Sequence, residues 1–290
     1  MTVTASRSAS LRAVAVEAAL SVREPLLAAF RSAMAVDYKT DLHDLVTRHD
    51  RESEAAIRSF ILERVPDSTI VGEEDGPSGD GRITWYVDPI DGTSNFARGL
   101  ASWCVSVGAV SGDAIVAGAL VDPVGGNVFS ADLGGAWLNG APLRSRATAD
   151  ERTATLITGY PVARDFRLDG RDVALRNFGA LVETFSTVRR PGSAALSIAQ
   201  VAAGWADAAC GFGVNPWDVT AAILILRQAG GLYRPLTQGK VPPGAPDHLC
   251  PGYVATGAGG SYPLLDRIAD GISEGRIVAA ARAADQASVA

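Results

Sequence analysis

Cysteine is scarce in this chain. Cys104, Cys210 and Cys250 are the three present in 290 residues, odd in number and far apart. That pattern argues against a disulfide frame and a structural zinc site, and favours reduced thiols in a cytoplasm. Histidine is equally scarce: His43, His49 and His248 do not pair with one another or with a cysteine at metal-ligand spacing, which disfavours a zinc enzyme. There is no run of Lys or Arg, and the net charge is −6. Nucleic acid and anionic membrane surfaces are therefore poor partners. No window approaches the roughly 20 apolar residues of a membrane span. Arg23 and Glu24 interrupt the apolar positions near the N-terminus, which argues against a signal peptide. Internal repeats and long linkers are also lacking.

What is present is a chain with an ordinary share of hydrophobic (47%) and charged (20%) residues. It is long enough for one large domain or two closely packed halves. Its most informative stretch is Trp85-Tyr86-Val87-Asp88-Pro89-Ile90-Asp91-Gly92-Thr93-Ser94-Asn95-Phe96. Apolar residues run straight into two carboxylates and then a Gly-Thr-Ser turn. A buried strand that ends in this way delivers both acids to one spot. Asp oxygens there can hold hard cations. The N–H groups of Gly92 and Thr93, if they open a helix, can hold a phosphate. Metal beside phosphate points to metal-assisted phosphoryl hydrolysis.

The surrounding pattern predicts a long amphipathic helix over about 8–34 and a loop with Lys39, Asp41 and Asp44. Thr47-Arg48-His49-Asp50 reads as a capping box for a second helix, which Pro66 stops. Short strands follow at Thr69–Gly72 and Ile83–Val87, then a hairpin of Trp103–Val110 and Ala114–Val121. Beyond residue 150 strands and helices alternate, with helices at about 171–183, 193–203, 217–229 and 262–273. This predicts an α/β (α+β layers) chain of stacked helix and sheet layers. One domain spans 1–275, with an N-terminal α+β half to about 150 and a C-terminal α/β half. Residues 276–290 read as a flexible tail.

The acids fall at strand ends and helix starts: Glu73, Asp88, Asp91, Asp50 in a helix first turn, and Asp218 in Asn215-Pro216-Trp217-Asp218. Taken alone, Asp218 reads as a helix cap and Glu73 as a solvated loop acid. Taken together they pose an electrostatic problem. Ionised carboxylates about 4 Å apart repel by roughly 4 kcal/mol per pair at an effective dielectric near 20. Such a cluster needs cations or protons, and all-oxygen ligands favour Mg²⁺ or Mn²⁺ over Zn²⁺.

These landmarks, in this order, resemble the inositol monophosphatase family of Mg²⁺-dependent, lithium-sensitive phosphatases. The resemblance covers about residues 10–270. It rests on Lys39 with Asp44–Asp50, Gly72-Glu73-Glu74, Trp85–Phe96, Gly134–Gly140, Gly192-Ser193-Ala194-Ala195, Asp207, Trp217-Asp218-Val219 and Ala229-Gly230-Gly231. It implies a layered αβαβα sugar-phosphatase-type sandwich. It implies that Glu73, Asp88 and the Ile90 carbonyl hold one Mg²⁺, and that Asp88, Asp91 and Asp218 hold a second. Thr93, hydrogen-bonded to Asp50, would orient the attacking water with Glu73 nearby. The N–H groups of Gly92 and Thr93 would cradle the phosphate, while Gly192, Ser193 and Ala194 line the side where the alcohol leaves. Thr93 and Ser193 also read as helix N-caps.

One departure stands out. Inositol-specific members of the family carry an acid seven positions before the equivalent of Asp218; here that position is Gly211, in Cys210-Gly211-Phe212-Gly213. Loss of that polar anchor is expected to open the pocket and loosen selectivity. The expectation is a cytoplasmic, homodimeric phosphomonoesterase acting on a small phosphorylated metabolite. Inositol 1-phosphate or a similar polyol phosphate leads; histidinol phosphate or a nucleotide 3′-phosphate follows. A regulatory or binding protein that keeps the fold with little turnover is the alternative from another class.

Overall fold

The N-terminal apolar stripe folds as two helices, α1 (Ala5–Ser21) and α2 (Arg23–Ala29), where one longer helix is expected. Pro25 supplies the reason: it has no N–H to give the Ser21 carbonyl, and its ring crowds that turn. The computed structural model describes residues 3–33, 37–38 and 45–289, with 38, 45 and 283–289 described by backbone alone. Lys39, Asp41, His43 and Asp44 lie outside the described residues.

A two-stranded ribbon, β1 (Asp37–Tyr38) and β2 (Leu45–Val46), leads into α3 (Arg48–Arg64). Next come β3 (Ser68–Gly72), β4 (Gly76–Ser78), β5 (Ile83–Asp91), a short α4 (Thr93–Ala97), β6 (Cys104–Ser111), β7 (Ala114–Asp122), β8 (Asn127–Asp132), β9 (Gly135–Leu138) and β10 (Ala141–Pro142). The second half contributes β11 (Thr155–Thr158), α5 (Ala163–Asp169), α6 (Arg171–Thr184), β12 (Thr187–Arg189), α7 (Ala194–Ala202) and β13 (Ala208–Phe212). It closes with α8 (Pro216–Gln228), β14 (Leu232–Leu236), β15 (Gly252–Thr256) and α9 (Pro263–Val289). The first sheet has eight strands ordered β10-β9-β8-β7-β6-β5-β3-β4, and the second has five ordered β12-β11-β13-β15-β14.

Three apolar cores fill the spaces between five layers, as the αβαβα reading requires. Leu11, Ile57, Trp85 and Val107 join α1 and α3 to the outer face of the large sheet. Leu120, Ile198, Ile223 and Ala255 pack the central α7–α8 layer between the sheets. Leu156, Leu181, Val254 and Leu265 join the small sheet to α6 and α9. The middle layer matters most for the site. Strand β6 is buried along nearly its whole length because helices cover both its faces. A Cβ on Gly108 of β6 would lie 2.6 Å from Thr220 Cγ2 and 2.8 Å from the Ala221 nitrogen, so α8 presses its backbone against the sheet. The Val219-Thr220-Ala221-Ala222 run is thus a packing surface, and its fit fixes where the start of α8 lies. The buried Thr220 hydroxyl donates to the Pro216 carbonyl at 2.6 Å.

The C-terminus differs from expectation. The helix expected over 262–273 runs on to Val289, through the segment expected as a flexible tail. Arg276 anchors the first turn of that continuation. Its buried guanidinium donates to Asp165 Oδ1 at 2.8 Å, to both Asp169 oxygens at 2.7 Å and to Gln238 Oε1 at 2.7 Å. Helix α5, which carries those two acids, has only seven residues and is not legible as a periodic pattern.

Candidate metal centre and leaving-group cleft

Asp88 and Asp91 sit at the end of β5, both buried. In a regular strand, residues three apart point to opposite faces. Here Asp88 pairs with Ser106 and Asp91 with Cys104, so β5 spends one residue more than β6 over the same span. That bulge turns both carboxylates toward the same place. Pro89 suits it, having no N–H to offer a ladder. The Ile90 N–H donates to Asp88 Oδ1 at 2.9 Å and locks the turn.

Asp218 reaches the same spot from the first turn of α8. Its Oδ2 accepts the Asn215 N–H at 2.7 Å, so the capping role is real, and a carboxylate has a second oxygen to offer. Asp88, Asp91 and Asp218 each present one oxygen, and these three atoms lie within 4.8 Å of one another. Glu73 is not one of the trio. It follows β3, its N–H donates to the Val87 carbonyl at 3.2 Å, and its charge bears on both Asp88 and Asp91.

The electrostatic cost is visible in the protonation preferences. Burial, and then the charges of Glu73, Asp91, Asp218 and Asp50, hold the Asp88 carboxyl well above the usual carboxylate range. Burial pushes Asp91 up to about 6, against the opposing pull of donors from Ser193, Ala195 and Ala194. This acid group, crowded and oxygen-only, is what a hard divalent cation relieves.

Gly92 follows at φ +103 and caps α4; a Cβ there would also lie 2.8 Å from the Ser102 carbonyl oxygen. Glycine is required on both counts. Thr93 is therefore the first helical residue and not the N-cap. Its hydroxyl lies 3.0 Å from both Asp50 Oδ1 and the Ile90 carbonyl. Asp50 is wholly buried, and its other oxygen accepts the Thr47 N–H and hydroxyl, each at 2.7 Å. Burial raises its pKa. One residue thus caps α3 and anchors Thr93.

Gly192, Ser193 and Ala194 meet the cluster from the C-terminal half. The Ser193 hydroxyl donates to Asp91 Oδ2 at 2.5 Å, as does the Ala195 N–H at 2.7 Å; the Ala194 N–H reaches Asp91 Oδ1 at 3.3 Å. Ser193 is also the N-cap of α7, accepting from the Leu196 N–H at 3.2 Å. The start of α7 therefore orients a metal-ligand candidate as well as lining the adjoining cleft.

That cleft, of about 250 Å³, runs from Asp91 past Gly192–Ala194 to Gly211, Phe212, Gly213, Tyr253 and Arg164. Gly211 does not leave it open. A Cβ at Gly211 would lie 2.7 Å from Tyr253 Cε1, so a buried aromatic ring already occupies the room the missing side chain leaves.

Two supporting residues were not singled out from sequence. Asn95 donates to the Ser102 carbonyl at 2.6 Å and the Pro191 carbonyl at 2.7 Å, tying the Gly92–Thr93 turn to the start of α7. Its place inside the Trp85–Phe96 stretch was the available signal. Glu54, buried on α3, accepts from Arg58 and from the Glu74 and Asp75 N–H groups at 2.8 and 3.0 Å, and so fixes the loop that carries Glu73. An acid four residues before Arg58 gave no hint of that reach.

A layered αβαβα sandwich with clustered acids at strand and helix ends places the chain among the phosphoric monoester hydrolases. More closely, residues 8–284 match the model of the inositol monophosphatase family, and the chain belongs to that family. It is 36% identical over 222 residues to an inositol-1-monophosphatase of Synechocystis, covering 76% of each chain. It is 36% identical over 253 residues to the Nus factor SuhB of Pseudomonas aeruginosa, covering 84% of this chain and 90% of that one. The inositol monophosphatase structure from Anabaena superposes with a TM-score of 0.71 at 28% identity, covering 92% of this chain and 94% of that one.

Proposed function

We propose that this chain is a Mg²⁺-dependent phosphomonoesterase that hydrolyses inositol 1-phosphate or a similar polyol phosphate. The observation that carries the reading is the convergence of Asp88, Asp91 and Asp218 oxygens within 4.8 Å. Beside them, Thr93 lies 3.0 Å from Asp50. Glu73, Asp88, Asp91, Asp218 and the Ile90 carbonyl would hold two Mg²⁺, with Mn²⁺ as a substitute. Bound cations there supply charge neutralisation for the phosphate and a lowered pKa for water.

The chain's own residues do the rest. Thr93 has one hydroxyl proton, and giving it to Asp50 or to Ile90 leaves its lone pairs free to accept from the attacking water. Asp50 is held by Thr47 and cannot swing away. Glu73 is the nearby acid that can take up a proton. The Gly92 and Thr93 N–H groups receive the phosphate oxygens, and Gly192, Ser193 and Ala194 border the departing alcohol. Lithium sensitivity, a homodimer and a cytoplasmic location belong to the same proposal. The Pseudomonas relative's name raises a regulatory role as the rival. The converging trio of Asp88, Asp91 and Asp218 argues against it, because mutual repulsion among crowded acids is a poor thing to keep without a cation.

The test is release of inorganic phosphate from a panel of phosphomonoesters by chelator-treated protein, with and without added Mg²⁺ or Mn²⁺. Metal-restored turnover of a polyol phosphate supports the reading. No turnover of any panel member with either metal sinks it.

A further inference from the structure

Helix α3 carries three polar residues at four-residue spacing, Asp50, Glu54 and Arg58, which therefore share one stripe along the helix. Asp50 and Glu54 are wholly buried. Ile57 and Ile61 of the same helix pack into the core on the outer face of the large sheet and fix α3 against it. Asp50 holds the Thr93 hydroxyl at 3.0 Å. One turn further on, Glu54 holds a different segment. Its Oε2 accepts the Glu74 N–H at 2.8 Å, and its Oε1 accepts the Asp75 N–H at 3.0 Å. Those two N–H groups belong to the turn between β3 and β4, and Glu73 is the residue that opens it.

Arg58 closes the arrangement. Its Nε and Nη2 both donate to Glu54 Oε1, at 2.9 and 2.7 Å. Nη2 also donates to the Gly76 carbonyl at 2.6 Å, and Nη1 to the Ser78 hydroxyl at 2.5 Å. The clamp thus reaches from the turn into β4. Room for it comes from Gly72, where a Cβ would run into the Glu54 carboxylate. A buried carboxylate–guanidinium pair is a poor source of net stability, because desolvation offsets much of its attraction. What this pair supplies is a stretch of backbone held in one place. Asp88 and Asp91 are placed by the bulge in β5, and Asp218 by the packing of α8. Glu73 lies on neither element, so its position depends on its own N–H bond to the Val87 carbonyl and on this loop.

We infer that Glu54, clamped by Arg58, is a positioning residue for Glu73, and that α3 is the common ruler that sets Glu73 against Thr93. The inference rests on the metal-dependent phosphomonoesterase reading and deepens it. Groups that act together on one water need to be held within about 0.5 Å of their working geometry. A single helix that fastens Thr93 through Asp50 and the Glu73 loop through Glu54 meets that need. Glu54 itself touches neither substrate nor cation and acts through Glu73.

The experiment titrates chelator-treated protein with Mn²⁺, counting free ion by its electron paramagnetic resonance signal. It compares wild type, Glu73→Gln, Glu54→Gln and the double variant, with turnover of inositol 1-phosphate against Mg²⁺ concentration measured alongside. Glu73→Gln identifies the binding step that depends on Glu73. Glu54→Gln should weaken that same step by about 10- to 100-fold, the usual effect of removing a group that orients a metal ligand. In the Glu73→Gln background it should add less than about twofold, because no ligand is left for it to act through. In turnover, Glu54→Gln should raise the Mg²⁺ concentration for half-maximal rate by a larger factor than it lowers the rate at saturating Mg²⁺. Arg58→Lys keeps the charge and breaks the fork, and should give a smaller shift of the same kind.

A purely structural part for Glu54 would lower Tm and leave Mn²⁺ affinity unchanged, or would weaken binding equally with and without Glu73. Either result overturns the inference. So does a Glu73→Gln variant that binds Mn²⁺ as tightly as wild type. If Glu54→Gln does not fold, Arg58→Lys alone and combined with Glu73→Gln decides by the same comparison. Wild-type protein that takes up no Mn²⁺ and turns over no substrate removes the phosphomonoesterase reading itself, which sets that failure apart.

Discussion

The end of β5 and the end of β13 build opposite kinds of wall. At β5 the turn itself is closed by local bonds, while Asp91 and Thr93 also take partners from α7 and α3. Asp88 is held by the Ile90 N–H, Gly92 caps α4, and Thr93 reaches back to the Ile90 carbonyl. At β13 the wall is made of absences. Gly211 yields to the Tyr253 ring and Gly213 to Arg164, both supplied by distant stretches of chain. The difference separates two tasks. In the proposed function, gripping a phosphate is common to every phosphomonoester, and much of that grip is carried by the Asp88–Thr93 run. Choosing the alcohol depends on what fills the gaps opposite.

That contrast can be broken most severely at Asp88. Asp88→Asn removes an acid on which the charges of Glu73, Asp91 and Asp218 all bear and should bring turnover to background with every substrate alike. Near-wild-type turnover, with the circular dichroism spectrum unchanged, would rule out the metal-cluster reading. Thr93→Ala comes next. It should lower kcat by about 10²–10⁴-fold with little change in KM, because the proposed partner of the hydroxyl is the attacking water. Asp50→Asn should match it. The double variant should lose little more than either single one, since both belong to one hydrogen-bonded unit. An unchanged kcat in Thr93→Ala would leave Thr93 a structural role only.

A smaller effect follows from protonation. Asp91 holds its proton more tightly folded than free, at about 6 against 3.8. Such a group stabilises the metal-free fold at low pH, and that stabilisation is lost as pH rises through the folded value. The metal-free Tm should therefore fall between about pH 5 and about pH 8. Added Mg²⁺ should raise Tm more at the higher pH, where fewer protons compete for the same oxygens. An equal Mg²⁺ shift at both values would count against shared ligands.

The mildest test sharpens the other side. Gly211→Ala forces Tyr253 to move and should cost about 1–3 kcal/mol of stability. It should alter relative kcat/KM among substrates more than the kcat common to them. A variant as stable as wild type would mean that Tyr253 relaxes freely, and that Gly211 is not the seat of the Tyr253 ring.

By itself the sequence determined the class of layers and the acid-bearing strand end, and it raised the expectation of a cation beside those acids. Each of these is a local pattern: a buried run closed by Asp-Pro-Ile-Asp, a Thr-x-x-Asp cap, an oxygen-only acid set without histidine or cysteine partners. Only the tertiary structure decided the rest. The bulge that aligns Asp88 with Asp91 exists in relation to β6. Asp218 arrives because α8 lies hard against Gly108, and Asp91 is aimed by α7, about a hundred residues on. The Arg276 network that anchors α9 where the expected tail begins spans α5 and α9, and Arg164 lines the cleft against Gly213. These are long-range contacts between side chains and voids. A void leaves no local periodicity for a sequence to display, so it became visible only when the distant groups that fill it were placed.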